Sequence, residues 1–157
     1  MEQPELSATD LYLTNDYTVQ VTLIGKDLDP AEVSTILPLT PSTAARRGEQ
    51  RPTSNGSETH AWEHGVWSHE VNTRDDVNEC RDHQILCMVD EIEPRHEELR
   101  RAGVERIYFY YTLASSIGMM NIRLRPATMR RLADIEADLY ISCFDCFDPN
   151  DRYWKDS

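Results

Sequence analysis

The run QILCMVDEIEPRHEELRRAGVERIYFYYTLASSIGMMNIRLRPATMRRLADIEADLYISCFDCF, Gln84 to Phe147, decides the fold. Ile85, Val89, Ile92, His96 and Leu99 recur at helical spacing, and Leu86 and Met88 widen the stripe, which predicts an amphipathic helix over Glu79–Arg101. Pro94 interrupts that stripe. It lacks a backbone donor and crowds the preceding turn, so the helix kinks there or divides in two. Gly103 ends it, since glycine enters the left-handed region without a Cβ penalty. The period then switches to two. Over Arg106–Leu113, Ile107, Phe109, Tyr111 and Leu113 alternate with Tyr108, Tyr110 and Thr112, and both sides are apolar enough for a central strand. Ala114–Gly118 turns the chain, and Met119–Leu124 returns as a hairpin strand with Met120, Ile122 and Leu124 facing the core. Pro126 opens a second helix reaching Glu136, with Met129, Leu132 and Ala133 covering the sheet. Asp138–Phe144 is the last strand, its Leu139, Ile141 and Cys143 pointing inward.

Upstream, Tyr17, Val19, Val21 and Leu23 alternate with Thr18, Gln20 and Thr22, a half-buried strand that ends at Gly25. Asp27, or Asp29 followed by Pro30, caps a short helix whose apolar face is Val33, Ile36 and Leu37 and which Pro38 and Pro41 stop. Residues 40–60, rich in Thr, Ser, Pro and Gly and carrying Arg46, Arg47 and Arg51, read as a long mobile surface loop. Val66–Ser68 reads as a short strand, with Trp62 and Trp67 as anchors, and Glu70–Asp82 as an acidic lead into the helix. The expected organisation is a flexible arm at 1–15, one α+β domain at 16–147 and an acidic tail at 148–157. The domain is expected to hold a mostly antiparallel sheet with two or three helices on one face.

The chain has 157 residues, enough for one ordinary domain. Its net charge of −12, from 28 acidic and 16 basic side chains, speaks against direct nucleic-acid binding and against an anionic membrane surface. A basic protein partner suits that charge. No apolar run approaches a membrane-spanning length, and the polar start Met1–Asp10 lacks the form of a signal peptide. Four cysteines (Cys80, Cys87, Cys143, Cys146) are few for a disulfide-stapled domain, so reduced thiols and a cytoplasmic location are expected.

GKDLDPAEVSTIL (25–37), LTPST (39–43), Arg46-Arg47-Gly48-Glu49, Val66-Trp67-Ser68, IEPRHEEL (92–99) and Ala137-Asp138-Leu139-Tyr140-Ile141 together resemble a bacterial domain-of-unknown-function family, forty-two seventy-nine in its series. The resemblance covers about Tyr17–Asp145. Its motifs are caps, turns and core anchors, and the chain departs from it in the Pro41-Ser42-Thr43 turn and in a longer 46–64 loop. What it implies is a protein without established activity. By analogy with small acidic proteins of this type, it implies an immunity protein encoded beside a secreted toxin.

No catalytic constellation stands out. Cys143-Phe144-Asp145-Cys146 has CxxC spacing, but it ends a strand instead of opening a helix, and Cys80 and Cys87 are spaced unlike a second ligand pair. His60, His64 and His69 lie in or beside the loop with no helical period, and His96 on the apolar stripe reads as a satisfied, half-buried histidine. No Gly-x-Ser-x-Gly, P-loop or His-Glu-x-x-His motif is present. We therefore expect a non-enzymatic binding protein with no cofactor and no metal. The alternatives are a small metal- or thiol-dependent enzyme and a scaffold domain. The expected contact residues are Glu70, Asp75, Asp76, Glu79, Asp145, Asp148, Asp151 and Trp154, acids that steer a basic toxin domain and an aromatic that anchors it. Oligomeric state stays open.

Overall fold

Tyr17, Val19, Val21 and Leu23 line one side of β1 (Asn15–Gly25), the middle strand of a five-stranded sheet. The computed structural model describes residues 15–51, 60–75, 79–80, 82–115 and 121–145. In chain order, β1 is followed by α1 (Pro30–Ile36), β2 (Thr43–Ala45), β3 (Gln50–Arg51), β4 (His60–Ala61), β5 (Gly65–Asp75) and β6 (Glu79–Cys80). Next come α2 (His83–Ile92), a 3₁₀ turn (Glu93–Arg95), α3 (His96–Arg101), β7 (Arg106–Ser115), β8 (Asn121–Ile122), α4 (Pro126–Asp134) and β9 (Ala137–Asp145). The sheet order is β2-β5-β1-β7-β9, antiparallel except for the parallel pair β7–β9, so the fold is α+β.

Period two divides the sheet into two faces. Tyr17, Val19, Val21 and Leu23 of β1, Trp67 of β5, and Ile107, Phe109, Tyr111 and Leu113 of β7 share one core. That core also takes Val33 of α1, Ile85, Met88, Val89 and Ile92 of α2, Leu99 of α3 and Leu132 of α4. All four helices therefore cover the same face. Asp29 caps α1 by accepting the Ala31 N–H at 3.0 Å, with Pro30 at the first helical position.

Pro94 divides the predicted long helix through the 3₁₀ turn, and its first turn is missing because Glu79 and Cys80 are in β6. The expected hairpin return does not form. Both edges of β7 are taken, by β1 and β9, so Asn121 and Ile122 pair in parallel with Glu79 and Cys80 instead. The short strand expected at Val66–Ser68 extends to Asp75, because β1 pairs with it over its whole length. Part of the 40–60 loop is built as β2 and β3, while 52–59 lie outside the described residues. Ile141 and Cys143 sit on the helix-side register of β9 but are exposed, as are Met129 and Ala133 of α4; Thr128, Leu132 and Ile135 do the covering.

One end of the sheet is held by a close approach of backbones. A Cβ on Gly25 would lie 1.8 Å from the Gly103 carbonyl oxygen, and Gly103 itself has φ +95°. Neither neighbour is a flexible side-chain tip, so the backbone would have to move. Gly25→Ala is expected to cost about 2 kcal/mol, read as a lower urea midpoint. A midpoint unchanged from wild type would show that this junction yields freely.

Candidate functional site

The face of the sheet away from the helices carries its own ordered lattice. Register places Glu70, Gln20, Tyr110 and Tyr140 in one row across β5, β1, β7 and β9. The adjoining row holds Thr43, Ser68, Thr22, Tyr108 and Asp138. Tyr110 and Tyr140 stack at 5.1 Å between ring centroids and remain 37% and 47% exposed. Tyr108, buried, tilts against both. Arg106 lies over the Tyr108 ring at 4.8 Å and pairs with Asp138 at 3.6 Å. Burial pushes the Tyr110 hydroxyl pKa above its usual value, helped by Tyr140 and Tyr108 and opposed by Arg106. Tyr110 therefore stays a hydrogen-bond donor at neutral pH.

Beside the tyrosines runs a polar ladder. Gln20 donates from Nε2 to Thr22 Oγ1 at 3.2 Å, and Thr22 Oγ1 and Ser68 Oγ share a hydrogen bond at 2.9 Å. The β3–β4 ribbon overlooks this ladder. Its end is closed by Trp62 N–H donating to the Glu49 carbonyl at 2.9 Å and Gly48 N–H donating to the Trp62 carbonyl at 2.8 Å. The Arg51 guanidinium lies on the Trp62 ring, 4.3 Å from its centroid. Between ribbon and sheet a groove of about 320 Å³ is lined by Gln20, Thr22, Thr43, Arg51, Trp62, Val66, Ser68 and Tyr110.

The expected contact residues fare unevenly. Glu70 is exposed in the tyrosine row. Asp75, at the end of β5, and Asp145, at the end of β9, come to the same end of the sheet as Asn15 and Ser115. Glu79 is in β6 beside Asn121. Asp76, Asp148, Asp151 and Trp154 lie outside the described residues. The sequence reading passed over Tyr108, Tyr110 and Tyr140 as a site. Their signal was available as aromatic residues on the second face of two strands, but it equally fits a sheet covered on both sides.

Among the described residues no group of three or more His, Cys, Asp or Glu is placed to hold a metal ion. His69 Nδ1–H donates to the Thr40 carbonyl at 2.7 Å. The His96 Nε2 atom is buried with no partner among the described residues, so this histidine is not the satisfied one expected. Cys87 and Cys143 are exposed, and Cys146 lies outside the described residues. No described helix is long and apolar enough to cross a membrane.

A second polar cluster has a structural role. The Asp82 carboxylate accepts the Arg125 backbone N–H at 3.0 Å, the Arg125 guanidinium at 2.9 Å and the Thr128 hydroxyl at 2.6 Å. Arg125 supplies no side-chain cap of its own, so Asp82 caps α4 from outside the helix.

The family profile "Domain of unknown function (DUF4279)" matches residues 15–144. No curated protein and no solved structure matches the chain significantly.

Proposed function

The chain belongs to the DUF4279 family, and we propose that it acts as a non-enzymatic binding protein whose uncovered sheet face docks a basic protein partner. One observation carries the reading: Tyr110 and Tyr140, stacked and half exposed, stand in one row with the Glu70 carboxylate. Exposed rings held in place by their neighbours offer contact area and cation–π faces at little entropic cost, and carboxylates beside them receive Lys or Arg. The net charge of −12 adds long-range attraction for such a partner. In this reading the partner is a basic toxin domain, the protein is its immunity protein, and the encounter takes place in the cytoplasm.

The test uses tagged protein to capture the products of neighbouring genes from cell extract. Wild type is expected to retain a basic protein and release it as salt rises, since exposed charges are screened within about 10 Å at 0.1 M. A folded Glu70→Gln, Tyr110→Ala, Tyr140→Ala variant is expected to lose the partner by roughly a hundredfold in affinity, the scale of two lost anchors. Capture that the variant and the salt leave unchanged would rule out docking on this face.

A further inference from the structure

We infer that the groove between the β3–β4 ribbon and the sheet binds a small, hydroxylated, ring-sized anion carrying one carboxylate or phosphate. This goes beyond the docking reading, which uses the carboxylates and tyrosines of the face and assigns nothing to the ribbon.

The cation comes first. Arg46 pairs with Asp29 at 3.0 Å and Arg47 approaches Asp27 at 3.9 Å, but no carboxylate among the described residues pairs with Arg51. Its guanidinium instead lies on Trp62, in a chain of net charge −12 that has acids to spare. A guanidinium resting on an indole is held in position, and its donors lie in its own plane, where they match two oxygens of a carboxylate or phosphate. Three adjoining depressions, of about 320, 440 and 490 Å³, are all lined by both Arg51 and Trp62, so this pair is the centre of the concave surface.

The opposite wall selects for hydroxyl groups. Ser68 is 2% exposed, yet it bonds to Thr22, which accepts from Gln20, so a polar ladder lies at depth on the face that carries no helix. The carboxamide oxygen of Gln20 has no partner among the described residues, and the Thr22 and Ser68 hydroxyls, with two and one of their three hydrogen-bonding capacities used in the ladder, each keep at least one more. Ring walls of Trp62 and Tyr110 complete the set. Apolar walls with a few convergent polar groups and one charge are the composition of a small-ligand site, and about 320 Å³ is at the small end of the range for such sites.

The experiment titrates the full chain with D-glucuronate, glucose 6-phosphate and glucose, following indole N–H signals by NMR, with Trp62→Phe identifying the Trp62 signal. Saturation of the Trp62 signal by glucuronate alone assigns a carboxylate ligand, and by glucose 6-phosphate alone or by both, a phosphate-accepting one. Glucose should bind at least roughly tenfold more weakly than the better anion, and Arg51→Gln should weaken that anion by roughly tenfold or more, each a loss of about 1.4 kcal/mol. No saturation by either anion at about 10 mM, equal binding of glucose, or unchanged binding to folded Arg51→Gln would overturn the inference. Partner capture by Arg51→Gln, measured in parallel, reports on the docking reading independently.

Discussion

Trp67→Ala is expected to destabilise the protein by about 4 kcal/mol, the scale of removing a large buried aromatic. Trp67 is 0% exposed in the middle of the helix-side core, opposite Leu23 on β1 and Ala44 on β2. Its Nε1–H donates to the Ser34 hydroxyl of α1 at 2.9 Å, so one side chain joins β5 to the first helix. Trp67→Phe keeps most of the packing and loses the hydrogen bond, so its expected cost is smaller, about 1–2 kcal/mol. Urea unfolding followed by far-UV circular dichroism separates the two. If the alanine variant lost less than about half the expected amount, the core around β5 would have to collapse into the space far more readily than its packing suggests.

Asp82→Ala is expected to cost about 3 kcal/mol, within the range for breaking a buried charged network. Asp82 is 3% exposed, so its loss strips the Thr128 hydroxyl and the Arg125 N–H of their acceptor at the start of α4. Arg125 is half exposed and regains water, which keeps the cost below that of a fully buried pair. Burial alone would raise the Asp82 pKa; hydrogen bonds from the Arg125 side chain, Thr128 and the Arg125 N–H, with the Arg125 charge, outweigh it and hold the carboxyl below its ordinary value. A carboxyl with a depressed folded pKa contributes stability that is complete above its unfolded pKa of about 4 and is lost as pH falls through the folded one. Wild type should therefore lose stability in that acid range and Asp82→Ala should lose less there, so the two unfolding curves converge on acidification. Curves that stay parallel down to about pH 2 would remove Asp82 from the acid response.

Strands with strict alternation and a cap with a named acceptor were legible from the sequence, as β1, β7 and the Asp29-Pro30 start of α1 demonstrate. What failed were questions of partnership. Met119–Leu124 has the length and period of a hairpin strand, but pairing is decided by which edges of β7 are open, and β9 occupies the one that a hairpin would need. Glu70 and Asn72 read as part of an acidic lead because their place in a strand depends on β1 lying alongside, a pairing fifty or more residues distant in the chain. The candidate site divides the same way. Glu70 was legible as a contact residue, whereas the Tyr110–Tyr140 stack joins two strands and the Arg51–Trp62 contact spans residues 52–59, so neither leaves a local pattern.

The central position of β1 has a consequence for synthesis. β1 leaves the ribosome before both of its neighbours, and its far pairing sets Asp16 against Ala114. At roughly 5–20 residues per second, that strand waits on the order of 5–20 s for β7 to emerge. For that interval Tyr17, Val19, Val21 and Leu23 have a partner for at most one edge and no finished core to enter. A ribosome stalled before Arg106 would hold a nascent chain exposing a sticky, incomplete sheet, a natural client for a chaperone.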